Sequence, residues 1–353
     1  MTSVTGGDGD AADAYAGAGQ HYTSPARRDW VKRSWEEPAF RRHLDDALRR
    51  ARSYGLAVEL DVLDVGCGTG VALDLLADLD VLKDGTFALY RATGLDRDEE
   101  LLAIARSRFE HDDRVQFVAG DLLAPPATGP HGLVLSSGVP FSHLEPDELE
   151  HSLTRLIGTA LPNDDAANVA LLVIDVLGRH SIEWTQQWGQ SRWDYRMSFF
   201  TTDVDVQSTP MTTWSGDDLV GRMERSVASA GGALLDLTLV DRSIAVGRHT
   251  MTGEYTPDLP PLRDLIDALA TSDEHVEPSA LRIDLELPPA PGDVLAFHRA
   301  FARTWNAALA AAEAEGTSGV MLAERLRDLE AGFESAGLGV GHSLTAYALV
   351  ARS

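Results

Sequence analysis

Leu63-Asp64-Val65-Gly66-Cys67-Gly68-Thr69-Gly70 is the stretch that decides how this chain folds. An apolar run with strand character, Val58 to Val65, leads into it, and Val71 to Leu79 continues with helical spacing. A glycine-rich turn between strand and helix lets backbone come close to a ligand and aims free amides at it. Gly66, Gly68 and Gly70 form GxGxG, a turn that also arises for purely steric reasons. A dinucleotide fingerprint would add a third glycine as GxGxxG. That position holds Val71 counted from Gly66, or Leu73 counted from Gly68, which weakens a nicotinamide reading.

Working outward, Tyr90–Leu95, Val115–Ala119, Leu133–Leu135, Val169–Val176, Leu234–Val240 and Leu344–Ala351 read as further strands. Val169–Val176 is apolar except at Asp175, as a central strand buried on both faces would be. Between the strands, Asp98–Phe109 and Pro146–Leu161 read as helices, the latter with proline in its first turn. Ser215-Gly216-Asp217-Asp218 resembles a capping box, with Asp in place of Glu, opening another helix that Gly231-Gly232 ends. Strands alternating with helices at this spacing predict a Rossmann-like, doubly wound α/β sheet.

Around that core, residues 1–20 are expected to be a disordered tail, too poor in apolar surface to offset ordering entropy. Residues 21–55 predict two covering helices broken near Glu37-Pro38, with Tyr22 near the entrance of a ligand site or simply packed. Residues 56–259 make the core domain. Residues 260–336 are a mostly helical insertion with Gly337 as a C-cap, and residues 337–353 return the last strand.

The 353 residues carry a formal net charge of −25, with only two lysines, Lys32 and Lys83. So acidic a surface repels phosphate backbones and anionic lipid, which argues against nucleic acid or a membrane surface as partner. Cys67 is the single cysteine, so no intrachain disulfide forms and a cytoplasmic location is the expectation. No apolar run approaches the roughly 20 residues of a membrane span, and the N-terminus lacks the features of a signal peptide. No His/Cys/Asp cluster has metal-ligand spacing, so no metal is expected.

Two acidic positions extend the glycine turn. Asp96, followed by Arg97, stands at the end of the second strand, where a carboxylate can accept both ribose hydroxyls of an adenosine. It could equally cap the helix beginning near Asp98. Asp121 follows the third strand in Val118-Ala119-Gly120-Asp121-Leu122. There it can take an adenine amine, with the Leu122 amide serving a ring nitrogen; alone, a Gly-Asp pair is most often a turn.

LDVGCGTG, then GLD, then FVAGDLL resemble motifs of the class I S-adenosylmethionine-dependent methyltransferase superfamily, over approximately Val58 to Val176. The resemblance implies a seven-stranded sheet whose last strand is antiparallel, with S-adenosylmethionine across the carboxyl ends of the strands. It places Asp64, Gly66, Cys67, Gly68 and Gly70 around the methionine portion. Asp96 and Arg97 then fall at the ribose, Asp121 and Leu122 at the adenine, and Ser136 or Ser137 beneath the sulfonium. Gly132 departs from the acidic residue that often opens the family's fourth strand.

Methyl transfer from a sulfonium is an in-line displacement with a good leaving group, and holding the acceptor aligned in a dry site supplies much of the catalysis. A hydroxyl or protonated amine acceptor benefits from a general base. His143, after the fourth strand, and His180, after the fifth, are the candidates, each also readable as a loop histidine satisfied by backbone. Trp184, Trp188, Trp193, Tyr195 and Phe199 can wall a substrate pocket for an apolar or planar acceptor. The same residues can instead form a second small core beneath the insertion. The expectation is methyl transfer to O, N or C of a small molecule, with a homodimer open. An NAD(P)-dependent oxidoreductase and an inactive S-adenosylmethionine-binding regulator are the alternatives.

Overall fold

The structure is a computed structural model that describes residues 25–125, 129–161, 169–197, 208–272 and 275–353. The expected 1–20 tail, Tyr22 and Phe199 lie outside the described residues.

Seven strands form the main sheet: β1 (Glu59–Val65), β2 (Ala88–Asp96), β3 (Val115–Ala119), β4 (Leu133–Leu135), β5 (Val169–Gly178), β8 (Gly232–Arg242) and β9 (Ser343–Arg352). Their order is β3-β2-β1-β4-β5-β9-β8. The first five are parallel to one another, and β9 runs antiparallel to both β5 and β8. β5 is buried along nearly its whole length, which its apolar sequence dictates for a strand covered on both faces.

Helices cover the two faces. On one lie α1 (Glu37–Ser53) and α2 (Val71–Ala77), whose Phe40, Leu44, Leu48, Leu73 and Leu76 pack against Val62, Leu133 and Val173. On the other, α4 (Pro146–Ala160) and α5 (Gly216–Ser229), which follow α3 (Glu99–Arg108) in the chain, bring Leu149, Leu153, Leu219 and Met223 onto Val134, Leu172 and Leu344. Local chemistry starts both helices. Glu145 and Glu148 cap α4 reciprocally around Pro146, and the Ser215 side chain accepts the Asp218 amide at 3.3 Å to start α5.

Two features differ from the sequence expectation. No break separates the N-terminal helices: a π-helical turn, Lys32–Glu36, runs straight into α1. Pro38 has no N–H to give the turn before it; the Glu37 amide reaches back to Lys32 in the π-helical turn, and the Ser34 carbonyl, four residues before Pro38, accepts from Arg327 at 3.3 Å instead. The aromatic stretch also contributes an unexpected hairpin strand, β6 (Arg192–Arg196), paired antiparallel with β7 (Ser208–Trp214). β7 joins the carboxyl end of β5 at Leu177–Thr213 and Gly178–Trp214, so the hairpin stands over that end of the sheet.

The insertion supplies α6 (Leu262–Thr271), α7 (Gly292–Glu315) and α8 (Gly319–Ala331). Its Leu262, Ile266, Phe301, Trp305, Leu322 and Leu326 share a core with Val31 and Trp35 of the N-terminal segment. A buried ionic cluster ties the two together: Arg263 donates to both carboxylate oxygens of Asp29 (2.8 and 2.9 Å) and to Glu36 (2.7 Å). The insertion therefore anchors the N-terminal segment over the sheet.

Candidate functional site: a cavity across the carboxyl ends of the strands

A cavity of about 940 Å³ lies where the carboxyl ends of β1 to β5 converge, the usual ligand position in an open α/β sheet. Each strand end contributes a short segment: Gly66–Thr69 after β1, Asp96 and Arg97 at β2, Gly120–Leu122 after β3, and Ser137–Pro140 after β4.

The glycine loop is held in one shape. The Gly66 and Cys67 amides donate to the Leu95 carbonyl at 2.8 and 3.0 Å, and Gly68 donates to the Asp96 carboxylate at 2.7 Å. Gly66 has φ +69, and a Cβ there would lie 2.6 Å from Pro140, so only glycine lets the loops after β1 and β4 touch. Val139, next to that contact, sits at φ +63, a strained conformation for a β-branched residue, on the cavity wall.

Asp96 lines the cavity and does two structural jobs at once, its second oxygen accepting the Asp98 amide at 2.9 Å. Asp98 itself caps α3 by accepting from Glu100 and Leu101. Asp121 is exposed on the cavity wall and accepts the Leu123 amide at 2.8 Å in a tight turn, with Leu122 beside it. Ser137 and Arg97 line the cavity as well.

Three of the expected cofactor residues stand behind the wall. Gly70 lies under Phe109 and Phe117, where a Cβ would meet the rings at 2.9 and 3.2 Å. The Ser136 hydroxyl accepts the Asp175 amide at 3.0 Å, which locks β4 to β5. Asp64 is fully buried beneath the loop, and neither carboxylate oxygen has a hydrogen-bond partner among the described residues. Burial first, then the nearby Asp96 charge, pushes its carboxyl up to about 8. Cys67 lines the cavity, but burial, Asp64 and Asp96 push its thiol well up, so it fills space and is no nucleophile at neutral pH.

Beyond these loops the cavity lining passes to other elements. Lys32, Glu36 and Phe40 come from the N-terminal segment, Tyr195, Met197 and Met211 from the hairpin, and Asp175, Arg242, Ser243, His342 and Ser343 from β5, β8 and β9. Asp175 accepts from Arg242 (2.9 Å), Thr345 (2.7 Å) and the Gly138 amide (3.2 Å), which leaves it fully engaged. Burial opposes charge on Glu36, but Arg263, Lys32 and Arg248 outweigh it and hold the carboxyl well below the usual range.

The two histidines singled out from sequence part company. His143 lines the cavity; burial, Arg97 and Arg192 push it down to about 4. His180 is off the wall: its amide donates to Gly339 at 2.7 Å, turning the ring edge-on to Trp188. Among the expected aromatic residues that are described, Tyr195 alone lines the cavity. Trp184 and Trp188 are buried, their indole N–H groups donating to Gly178 (3.0 Å) and Ser181 (2.8 Å). Trp193 packs between Trp184 and Tyr255. These three tryptophans belong to a second small core under the insertion.

Sequence reasoning missed the Asp175–Arg242 pair and His342. Asp175 carried a signal, as the lone acid in an apolar strand. His342 carried none, because its partner Glu183 is 159 residues away in the chain.

Residues 62–162 match the model of a family described as a methyltransferase domain. No curated protein matches the chain. Among solved structures, the chain resembles an S-adenosylmethionine-dependent methyltransferase from Clostridium acetobutylicum (13% identity, 55% of this chain and 81% of that one, TM-score 0.38). It also resembles an amino pentose methyltransferase of calicheamicin biosynthesis from Micromonospora echinaspora (17% identity, 68% and 94%, TM-score 0.37). A third is the Haloferax volcanii methyltransferase complexed with its Trm112 activator (15% identity, 95% and 95%, TM-score 0.41). Residues 62–162, the span that carries the glycine loop, Asp96 and Asp121, are thus similar to a methyltransferase domain. S-adenosylmethionine is the cofactor that the sequence motifs of this span imply.

The residues fit that cofactor. The cavity runs unbroken from the Asp121 turn past Asp96 to a loop whose glycines admit close approach. When bound, the cofactor supplies an electrophilic methyl group; the chain's part is to grip the nucleoside, align the acceptor and keep water out.

Proposed function

We propose that the protein transfers methyl groups to a small polar molecule held in the part of the cavity away from the glycine loop. The observation that carries this reading is the lining of that part. The N-terminal segment, the β6–β7 hairpin and the β8–β9 ends all wall the same space, alongside the cofactor loops. At about 940 Å³ the whole cavity is at the upper end of the roughly 300–1,000 Å³ typical of small-ligand sites, enough for cofactor and acceptor together. The insertion supports the reading indirectly, since Arg263 holds the N-terminal wall in place. The net charge of −25 argues in the same direction, against a polyanionic acceptor.

Beside the glycine loop, Asp96 takes the ribose, Asp121 and Leu122 the adenine, and Gly66, Cys67 and Gly68 the methionine portion, with Ser137 near the reacting carbon. Asp64 and Gly70 act from behind, by shaping the loop. Among the histidines on the wall, the low basicity of His143 suits a hydrogen-bond acceptor better than a proton carrier. Tyr195, Met197 and Met211 give the acceptor an apolar flank.

Calorimetry with S-adenosylhomocysteine and NADH, then release of S-adenosylhomocysteine across small hydroxyl and amine acceptors, tests the reading. Micromolar binding of the homocysteine and turnover with a small acceptor are expected. Methylation confined to protein or nucleic acid substrates would overturn the small-acceptor reading.

A further inference from the structure

His342 lies immediately before β9, its carbonyl accepting the Gly178 amide at the carboxyl end of β5, and lines the cavity. Two strand spacings, roughly 10 Å, separate β9 from β4, so an acceptor seated over β5 lies between His342 and the loop carrying Ser137. The Nδ1 of His342 is 2.8 Å from Glu183 Oε1. Glu183 is fully buried, and its other oxygen accepts the His249 amide at 2.6 Å. A carboxylate so placed takes the Nδ1 proton of a neutral imidazole, which leaves Nε2 as the nitrogen with a free lone pair. Nε2 has no partner among the described residues, and the side chain keeps 17% of its surface open.

The surroundings are built to hold this pair. A Cβ on Gly247 would overlap the Glu183 carboxylate at 1.9 Å, so the glycine makes the room the acid occupies. Asp241 accepts the amides of Leu338, Val340 and Gly341 at 2.9, 2.7 and 3.2 Å, fixing the segment that leads into His342. Gly178 and Gly341 pack so closely that a Cβ on Gly178 would lie 2.3 Å from the Gly341 carbonyl. Burial alone would raise the Glu183 carboxyl, yet His342 and the His249 amide hold it below the usual range, keeping it charged.

Resting on methyl transfer to a small acceptor, we infer that His342 is the general base and Glu183 its positioning residue, so that the acceptor is a hydroxyl or an amine. The acceptor's lone pair forms the new bond to carbon as the carbon–sulfur bond breaks and sulfur keeps that electron pair. The acceptor's proton passes to Nε2, and the imidazolium it creates is paired with the Glu183 carboxylate. Asp175 is spent on Arg242, Thr345 and Gly138, and His143 is too weak a base to carry the proton away.

Nitrogen NMR of histidine-labelled protein bound to S-adenosylhomocysteine, with the His342 signal identified by His342→Gln, tests the dyad directly. The expected result is an Nδ1–H tautomer with unprotonated Nε2. Glu183→Gln, which can no longer hold the Nδ1 proton with a carboxylate, should lower kcat about tenfold or more without changing KM, and Glu183→Asp should restore part of it. With an acceptor the wild type methylates, His342→Gln should lower kcat about 100-fold or more while leaving KM and S-adenosylhomocysteine affinity in place. A proton on Nε2, a kcat indifferent to Glu183→Gln, or full kcat in His342→Gln overturns the dyad. Failure to bind S-adenosylhomocysteine overturns the methyltransferase reading instead.

Discussion

Asp96 holds the amides of Gly68 and Asp98 at the same time, one on each carboxylate oxygen, at 2.7 and 2.9 Å. The side chain that faces the cavity from β2 thus also fixes the glycine loop and, through Asp98, the start of α3. On the proposed ribose role of Asp96, cofactor recognition and loop shape would be coupled through this one carboxylate.

Asp96→Ala removes both functions, and the affinity for S-adenosylhomocysteine should fall at least tenfold. Loss of a charge-assisted hydrogen bond costs on the order of 1.5–3 kcal/mol, and a factor of ten is about 1.4 kcal/mol. Calorimetry at fixed salt measures it. Unchanged affinity would rule out a ribose-binding role.

Gly66→Ala should lower both stability and cofactor affinity. An L-residue at φ +69 costs roughly 1–2 kcal/mol, and the added methyl must move Pro140, which sits 2.6 Å away. Gly138→Ala is the matched control, with φ +82 but nothing within 4 Å of the new Cβ. Urea midpoints and S-adenosylhomocysteine titrations of the two variants separate backbone strain from the loop contact. Equal losses in both would mean that the Pro140 contact contributes nothing.

The residues proposed for the cofactor could be picked out in the sequence because their signals are local. Leu63 to Gly70, Asp96 and Asp121 each stand at a strand end, and a strand end fixes where a side chain or amide points. Those proposed for the acceptor could not. His342 and Glu183, like Asp175 and Arg242, are neighbours only after β5, β8 and β9 pair. In β6, Trp193 and Tyr195 alternate with exposed Asp194 and Arg196. That two-residue period marks a strand, but five residues beside three other aromatic residues also suit a pocket wall. His180 followed β5 as expected; the Gly339 carbonyl then turned it away, a contact between segments that no spacing announces.

Asp64 gives the unliganded protein a pH dependence of definite sign. Its carboxyl titrates near 3.8 in the unfolded chain and about 8 in the folded one. The stability it contributes is present below about 4 and is lost as pH rises through about 8, because the unfolded state releases the proton first. Glu330, pushed up to about 8 chiefly by burial, adds a slope of the same sign, so the informative quantity is the difference between two proteins. Asp64→Asn should show a flatter fall of the urea midpoint between pH 5 and 9 than the wild type. Parallel curves would mean that Asp64 is ionised in the folded state throughout.

Arg263 tests whether the insertion serves the site. Its guanidinium is completely buried and bonds to Asp29, Glu36 and the Val246 carbonyl. Arg263→Ala leaves two carboxylates poorly paired in a dry environment, and breaking a buried ion pair on one side costs about 3–5 kcal/mol. Arg263→Met keeps more of the packing but leaves the same charges, so it should recover only part of that loss. Because Glu36 and Lys32 sit on the acceptor wall, the damage should reach function in a particular way. S-adenosylhomocysteine affinity, assigned in the proposed reading to Asp96 and Asp121 away from that wall, should hold better than acceptor KM. Proteolysis should cut first near Asp29, where the N-terminal segment loses its tether to α6. If both ligands weaken equally and the segment stays protected, the insertion supports the fold as a whole and has no particular part in shaping the acceptor wall.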